Sequence, residues 1–134
     1  MNSSKPSRVI VKRVEDHLIK QSPTCGEIRE ILSGAEFSPN IAIAINIGIT
    51  TAHYHLTFDE IYFVLDGSLK LRLFDPTTGI DSDVQLLPGE LCVIVKGIHH
   101  QVVEASTPNR LCVITVPQFQ ASDENLSDHD GFLH

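Results

Sequence analysis

Between Ile41 and Val116 apolar and polar positions alternate in short runs, and turn-forming residues cut between them. Alternation with period two marks a strand with one buried face, because successive side chains of an extended chain point to opposite sides. Ile41–Ile47 (IAIAINI) sets isoleucine against small or polar residues. Its four isoleucines share one face, expected to be buried. Ala42, Ala44 and Asn46 share the other, which either lines a narrow cavity or meets solvent. Ser68–Phe74 (SLKLRLF) places Leu69, Leu71 and Leu73 inward and Lys70 and Arg72 on a solvated face. Further strands are predicted at Val9–Val14, Glu27–Leu32, Ile49–His55, Ile61–Leu65, Asp83–Leu87, Leu91–Val95, His99–Glu104 and Leu111–Val116. Pro23 with Gly26, the Ser33–Asn40 stretch with Gly34 and Pro39, Asp75-Pro-Thr-Thr-Gly79, Pro88-Gly89, Lys96-Gly97 and Thr107-Pro-Asn109 carry turn chemistry. His17–Ile19 is an irregular or short helical connection, with His17 an exposed polar residue. No helical period exceeds two turns. The expectation is all-β, a sandwich or barrel of about nine or ten strands with few or no helices.

Composition narrows this picture. The chain of 134 residues is long enough for one domain with a sizeable core. That domain is expected over residues 1–117, with a frayed start at 1–7 and a core at about 41–116. Residues 118–134 form an acidic C-terminal tail, either mobile or laid on the barrel or a partner through Phe132 and Leu133. Ten Lys+Arg against seventeen Asp+Glu give a formal charge of −7. Phosphate binding needs clustered basic surface, so no nucleic-acid partner is expected, and no anionic membrane. No apolar run approaches the ~20 residues of a membrane span, and no secretory signal is evident, so a cytoplasmic location is the default. Three cysteines without a CxxC pair make no disulfide framework. Cys92 and Cys112 sit in apolar runs as buried thiols. Cys25 is read as structural, with a place beside a functional site as the alternative.

The candidate chemistry lies in His53–Gly67 (HYHLTFDEIYFVLDG). His53 and His55, two residues apart, project from one face of a strand while Tyr54 points away. The LTFD bend lets Glu60 return toward them. Two imidazoles and a carboxylate make most of a first-row transition-metal site, and His100 in KGIHH is the natural fourth ligand. If His100 points inward, parity sends Val102 and Glu104 inward and Gln101 and Val103 outward. His99 then lies on the opposite face, as the rival ligand if the register slips by one.

These residues resemble the cupin superfamily. Its first motif, G(x)5HxH(x)3,4E(x)6G, is met by His53, His55, Glu60 and Gly67, with Ile47 in the first glycine's slot and Gly48 one residue too close. Its second, G(x)5PxG(x)2H(x)3N, is met by Gly89, Gly97 and His100, with Val95 for the proline and Glu104 for the asparagine. Motifs and flanking strands cover residues 41–116. The resemblance implies a cupin double-stranded β-helix, or jelly-roll barrel, and carries the metal ligands onto His53, His55, Glu60 and His100. The replaced positions are not ligands in the family, so they bear on the local turn and on the groups behind the ligands.

Three neutral imidazoles and one carboxylate around a divalent ion leave a +1 centre with one or two open positions, suited to Fe, Mn, Ni, Co or Zn. Asn46, Gln101 and Glu104 are candidates to hold the imidazole tautomers. Tyr62 shares the face of Glu60 and is either a proton donor or substrate anchor, or a core tyrosine. Glu104 is either a weak general base or an exposed strand-end carboxylate. The resemblance implies a metal-dependent enzyme acting on a small oxygen-rich or carboxylated molecule, dioxygenase-like, or an isomerase or decarboxylating lyase. The alternatives are a non-catalytic module that binds metal and a small molecule, and a barrel with a structural metal. Glu60 sets the chain apart from thiol dioxygenases, which resemble cupins but use three histidines. Short cupins resemble homodimers whose N-terminal strands join the partner's sheet. Outward Ile61, Phe63 and Leu65 fit such a covered face, although a second layer of the same chain would cover them equally.

Overall fold

The computed structural model describes residues 9–22, 24–33 and 37–134. The expected frayed start, Pro23 of the first turn, and Gly34 of the next loop lie outside them. Strands run β1 Lys20–Ser22, β2 Gly26–Leu32, β3 Asn40–Ile45, β4 His53–Tyr54, β5 Asp59–Asp66, β6 Leu69–Asp75, β7 Ile80–Leu86, β8 Leu91–Ile94, β9 His99–Ala105, β10 Arg110–Val116 and β11 Asn125–Leu126. Only 3-10 turns at Val14–Asp16 and Ala121–Asp123 interrupt them among the described residues. No helix there is long and apolar enough to cross a membrane.

Two antiparallel sheets result, ordered β1-β2-β3-β10-β5-β8 and β11-β4-β9-β6-β7. Alternation decides what lies between them. Ala44, Tyr62, Val64, Leu69, Leu71, Leu86, Ile94, Val102 and Leu111 form one buried cluster. Each fully buried leucine or valine contributes roughly 1.5–3 kcal/mol. On β6 the outward Lys70 and Arg72 both face Asp83 of β7, at 3.7 and 3.0 Å. The all-β expectation holds, and strand positions agree to within a few residues for most elements.

Four local expectations are corrected. Val9–Val14 is not a strand: Val9–Arg13 lies outside both sheets and Val14 opens a 3-10 turn. The short β1–β2 hairpin, not foreseen, takes that sheet edge instead. The isoleucine face of β3 is buried only in part, at Ile43 and the following Ile47, and its alanine face takes the cavity alternative. Ala44 is fully buried in the core and Ala42 lines a cavity, while Ile41 and Ile45 are only half-buried on the outer face. Small side chains suit the narrow space between the sheets. The isoleucine side is flanked by Arg29 (paired with Ile43), whose guanidinium donates to the carbonyls of Val14 and His17. Ile49–His55 shrinks to His53–Tyr54, because Thr50 Oγ1 accepts from Val102 N (2.9 Å) where a ladder carbonyl would stand.

The fourth correction concerns Glu104. Lys70 pairs with Glu104 but Leu71 pairs with Val102, so Val103 is an extra residue in β9. A bulge of one residue flips every side chain beyond it. His100 and Val102 therefore point inward as expected, Val103 is buried, and Glu104 turns out to solvent with Lys70 3.8 Å away.

Residues 118–134 lie along the barrel. β11 adds to β4, Ser127 N donates to Ala52 O, and Phe132 is buried. Gln101, on the opposite face from His100, exchanges hydrogen bonds with the backbone of Leu133 at 2.9 and 3.0 Å.

Candidate metal centre

β4 is only two residues long, yet its one ladder partner fixes the centre: His53 sits directly opposite His100. His55 follows two residues on, and its carbonyl accepts from Gly97 N at 2.7 Å, tying one motif to the other. Glu60 enters from β5 of the facing sheet. The structure brings His53, His55, Glu60 and His100 together, all buried, with one ligand atom of each within 4.8 Å of the others. Ligands at ~2.1 Å from a cation lie up to about 4.2 Å apart across it, so closure needs shifts of tenths of an ångström.

The chain dictates which imidazole nitrogens face inward. His53 Nδ1 donates to Thr51 O (2.8 Å), His55 Nδ1 to Asp123 O (2.8 Å) and His100 Nδ1 to Ile98 O (3.0 Å). A carbonyl only accepts, so each Nδ1 carries the proton and each neutral ring presents a bare Nε2 to the centre. Nε2 of His53 and of His55 is buried without a hydrogen-bond partner among the described residues. His100 Nε2 lies 3.1 Å from Glu60 Oε1 and His55 Nε2 3.8 Å. A carboxylate this close to the ring nitrogens calls for a positive centre between them, a proton that Glu60 accepts from an imidazole or a cation in its place. Three bare imidazole nitrogens and one carboxylate fit a divalent transition metal.

The electrostatics describe the same cluster with a proton in that place. Burial would raise the Glu60 carboxyl, but His100 and His55 outweigh it and hold it well below the usual carboxylate range. Burial pulls His53 down to about 3, with His100 adding to the effect. Burial opposes charge on His55 too, but Glu60 outweighs it and raises that group. Such a cluster resists protonation of His53 and keeps its acid ionised.

Tyr62 lies in the lumen, its ring edge-on to His100 at 6.2 Å. Burial, and then the Glu60 charge, push its phenol well above the ordinary range, so it stays protonated. Glu104 is outside the centre. None of Asn46, Gln101 or Glu104 backs a ligand: Asn46 bonds Asn109, and backbone carbonyls do the work instead. His99 stacks flat on Tyr54 (4.1 Å) on the other face, with Nδ1 2.6 Å from Ser127 Oγ.

Of the residues around the centre, Cys25 takes the place beside the site that was its alternative reading, whereas Thr115 and Asp123 were missed in the sequence. Cys25 is buried beside Glu60 and Tyr62, and burial followed by the Glu60 charge raises its thiol to about 12, which makes it an inert neighbour. Thr115 of β10 faces Glu60 across the ladder. A lone threonine on the Leu111-Val113 side of an otherwise apolar strand was the available signal. Asp123 of the tail had none. Besides its carbonyl on His55, its carboxylate accepts from Leu56 N (3.0 Å), Thr57 N (2.8 Å) and Thr57 Oγ1 (2.6 Å), which fixes the bend behind that ligand. Asp123→Ala is expected to weaken metal uptake about 10–100-fold, with Asp123→Asn closer to wild type, as read by chelator competition. Equal affinity in Asp123→Ala would show that the tail does not support the ligand.

No family model matches the chain, and no curated protein matches it in sequence. In structure it is similar to the oxalate decarboxylase of Bacillus subtilis. A single-site variant of that enzyme matches with a TM-score of 0.73 and 14% identity, covering 92% of this chain and 34% of the decarboxylase chain. The same enzyme at pH 4.6 matches at 0.73 and 14%, over 91% and 33%. Its structure from a study of the Mn(II) centres matches at 0.72 and 14%, over 91% and 33%. This chain thus spans about a third of the decarboxylase's length. At such identity the likeness carries fold alone, and the fold is that of a small cupin domain, as the paired motifs around His53 and His100 led us to expect.

Proposed function

We propose that this chain is a metal-dependent enzyme acting on a small carboxylated molecule at a cation held by His53, His55, Glu60 and His100. The observation that carries the proposal is the pair of buried, unpartnered Nε2 atoms of His53 and His55 turned toward an ionised Glu60. A cation bound there supplies Lewis-acid or redox chemistry and an attachment point for substrate oxygens. The protein's own part is to hold four donors rigidly, through three backbone carbonyls, and to keep water scarce. Tyr62, protonated and buried beside Glu60, would give a hydrogen bond or a proton to a molecule bound at the centre.

Two chemistries fit this arrangement. A dioxygenase-like reaction would need the substrate and O2 to reach together the centre that His53, His55, Glu60 and His100 would hold. A decarboxylating lyase reaction is favoured by the structural likeness to a decarboxylase, and would use Tyr62 to protonate the carbon that loses CO2. We expect protein loaded with Mn(II) or Fe(II) to hold about one ion per chain by elemental analysis. Incubation with a panel of small carboxylic acids separates the readings: O2 uptake marks the first, CO2 release without O2 uptake the second. Ligand binding with neither gas exchanged would reduce the protein to a binding module.

We also propose a homodimer. Leu91 and Val93 of β8, the edge strand of the larger sheet, and Val95 just after it are each more than half exposed. An open edge with apolar side chains invites pairing. Light scattering should give twice the chain mass, and Val93→Lys should give the monomer. A monomeric wild type would refute this.

A further inference from the structure

A cavity of about 350 Å³ meets the centre at Glu60, which is part of its lining. It has room for on the order of ten waters, or a ligand of about ten non-hydrogen atoms. Its walls are largely apolar: Ile28, Ala42, Val113 and Phe119 line it. Its acids are already engaged. Glu30 accepts from Asn40 Nδ2 at 3.0 Å and lies 3.9 Å from Lys20, and Glu124 accepts from Thr24 Oγ1 at 2.9 Å.

Thr115 is different. It is 3% exposed, lines this cavity, and its hydroxyl has no hydrogen-bond partner among the described residues. A buried hydroxyl left unsatisfied costs free energy unless something in the cavity completes it. Its ladder position opposite Glu60 sets it beside any group bound at the metal. A +1 metal centre favours an anionic end there. Beyond that end Ile28, Ala42, Val113 and Phe119 offer apolar wall beside Glu30 and Glu124, and the lining's one cation, Lys20, already lies 3.9 Å from Glu30. A second carboxylate would have to compete with Glu30 for Lys20 or would face those acids.

We propose that this site takes a monocarboxylate with an apolar tail, one carboxylate oxygen held by Thr115 Oγ1–H and the tail lying along Ile28, Ala42, Val113 and Phe119. The proposal rests on the metal reading above and narrows its substrate class. Thr115 is thereby a specificity-determining residue.

Calorimetric titration of Mn(II)-loaded protein with 4-methylpentanoate and with glutarate, acids of similar size, tests it, with metal content measured on the same samples. 4-Methylpentanoate should bind, and glutarate should bind at least tenfold more weakly. Thr115→Val, which keeps shape and loses the hydroxyl, should weaken 4-methylpentanoate about 10–100-fold at unchanged metal content. Thr115→Ser should restore most of that loss. Metal-loaded protein that binds neither acid, or both alike, overturns the proposal alone, as does unchanged affinity in Thr115→Val. Protein that takes up no metal overturns it together with the reading of the centre.

Discussion

Replacing His55 by alanine is expected to strip the metal from the protein while leaving the barrel folded. Four-ligand zinc sites bind with about 10–16 kcal/mol, so one ligand in four is worth roughly 3–4 kcal/mol, a few hundredfold in affinity. The loss should exceed that of Asp123→Ala, because a ligand is removed rather than its support. The barrel should survive, since Nε2 has no hydrogen-bond partner among the described residues and the mutation removes one hydrogen bond, from Nδ1 to Asp123 O. Wild-type protein with metal at a hundred times its dissociation constant gains about 2.7 kcal/mol, a rise in Tm on the order of 10 °C for a chain of this size. His55→Ala should show neither the bound metal nor the rise. Equal metal content and an equal shift in both proteins would remove the site.

Gly67→Ala should have the largest effect on folding. Gly67 turns β5 into β6 with φ +77, where a side chain strains the backbone by about 1–2 kcal/mol. There is no room either: a Cβ there would lie 2.5 Å from Ser106 Oγ, 2.6 Å from Pro108 O and 2.8 Å from Asn109 Cβ. Ser106 Oγ and the Asn109 side chain are themselves committed to Ser68 N, Ile47 N and Ile47 O. Forced repacking adds roughly 1–3 kcal/mol. The sum, about 2–5 kcal/mol, is a large share of the ~5–15 kcal/mol that stabilises a domain. Urea unfolding should show the midpoint fall with little change in slope. Gly79→Ala is the control, since its φ is also positive but nothing lies within 4 Å of an added Cβ. Equal midpoints for both variants would mean that packing against Gly67 contributes nothing.

The fold was legible because alternation is a local property. SLKLRLF states its own inside and outside, and Leu69 and Leu71 are indeed buried while Lys70 and Arg72 meet Asp83. The spacing of His53, His55 and Glu60 was equally readable, because i and i+2 share a face and a four-residue bend returns the chain. Parity misled where the backbone broke its own count. The extra residue Val103 turned Glu104 outward, and nothing in HHQVVEA announces a bulge. The pattern IAIAINI was clear, but which face met the lumen depended on how much room the opposing sheet left.

By itself, then, the amino-acid order determined an all-β chain with a histidine-carboxylate cluster, since strand period, turn residues and ligand spacing are set by neighbours in sequence. The tertiary structure alone decided what stands behind and beside that cluster. The carbonyls of Thr51, Ile98 and Asp123 fix the imidazoles, yet every residue carries a carbonyl, so no side chain marks them. Asp123 reaches His55 across 68 residues, and Thr115 meets Glu60 across a ladder between strands far apart in the chain. Contacts made over such separations depend on how the sheets close, which local sequence pattern does not encode.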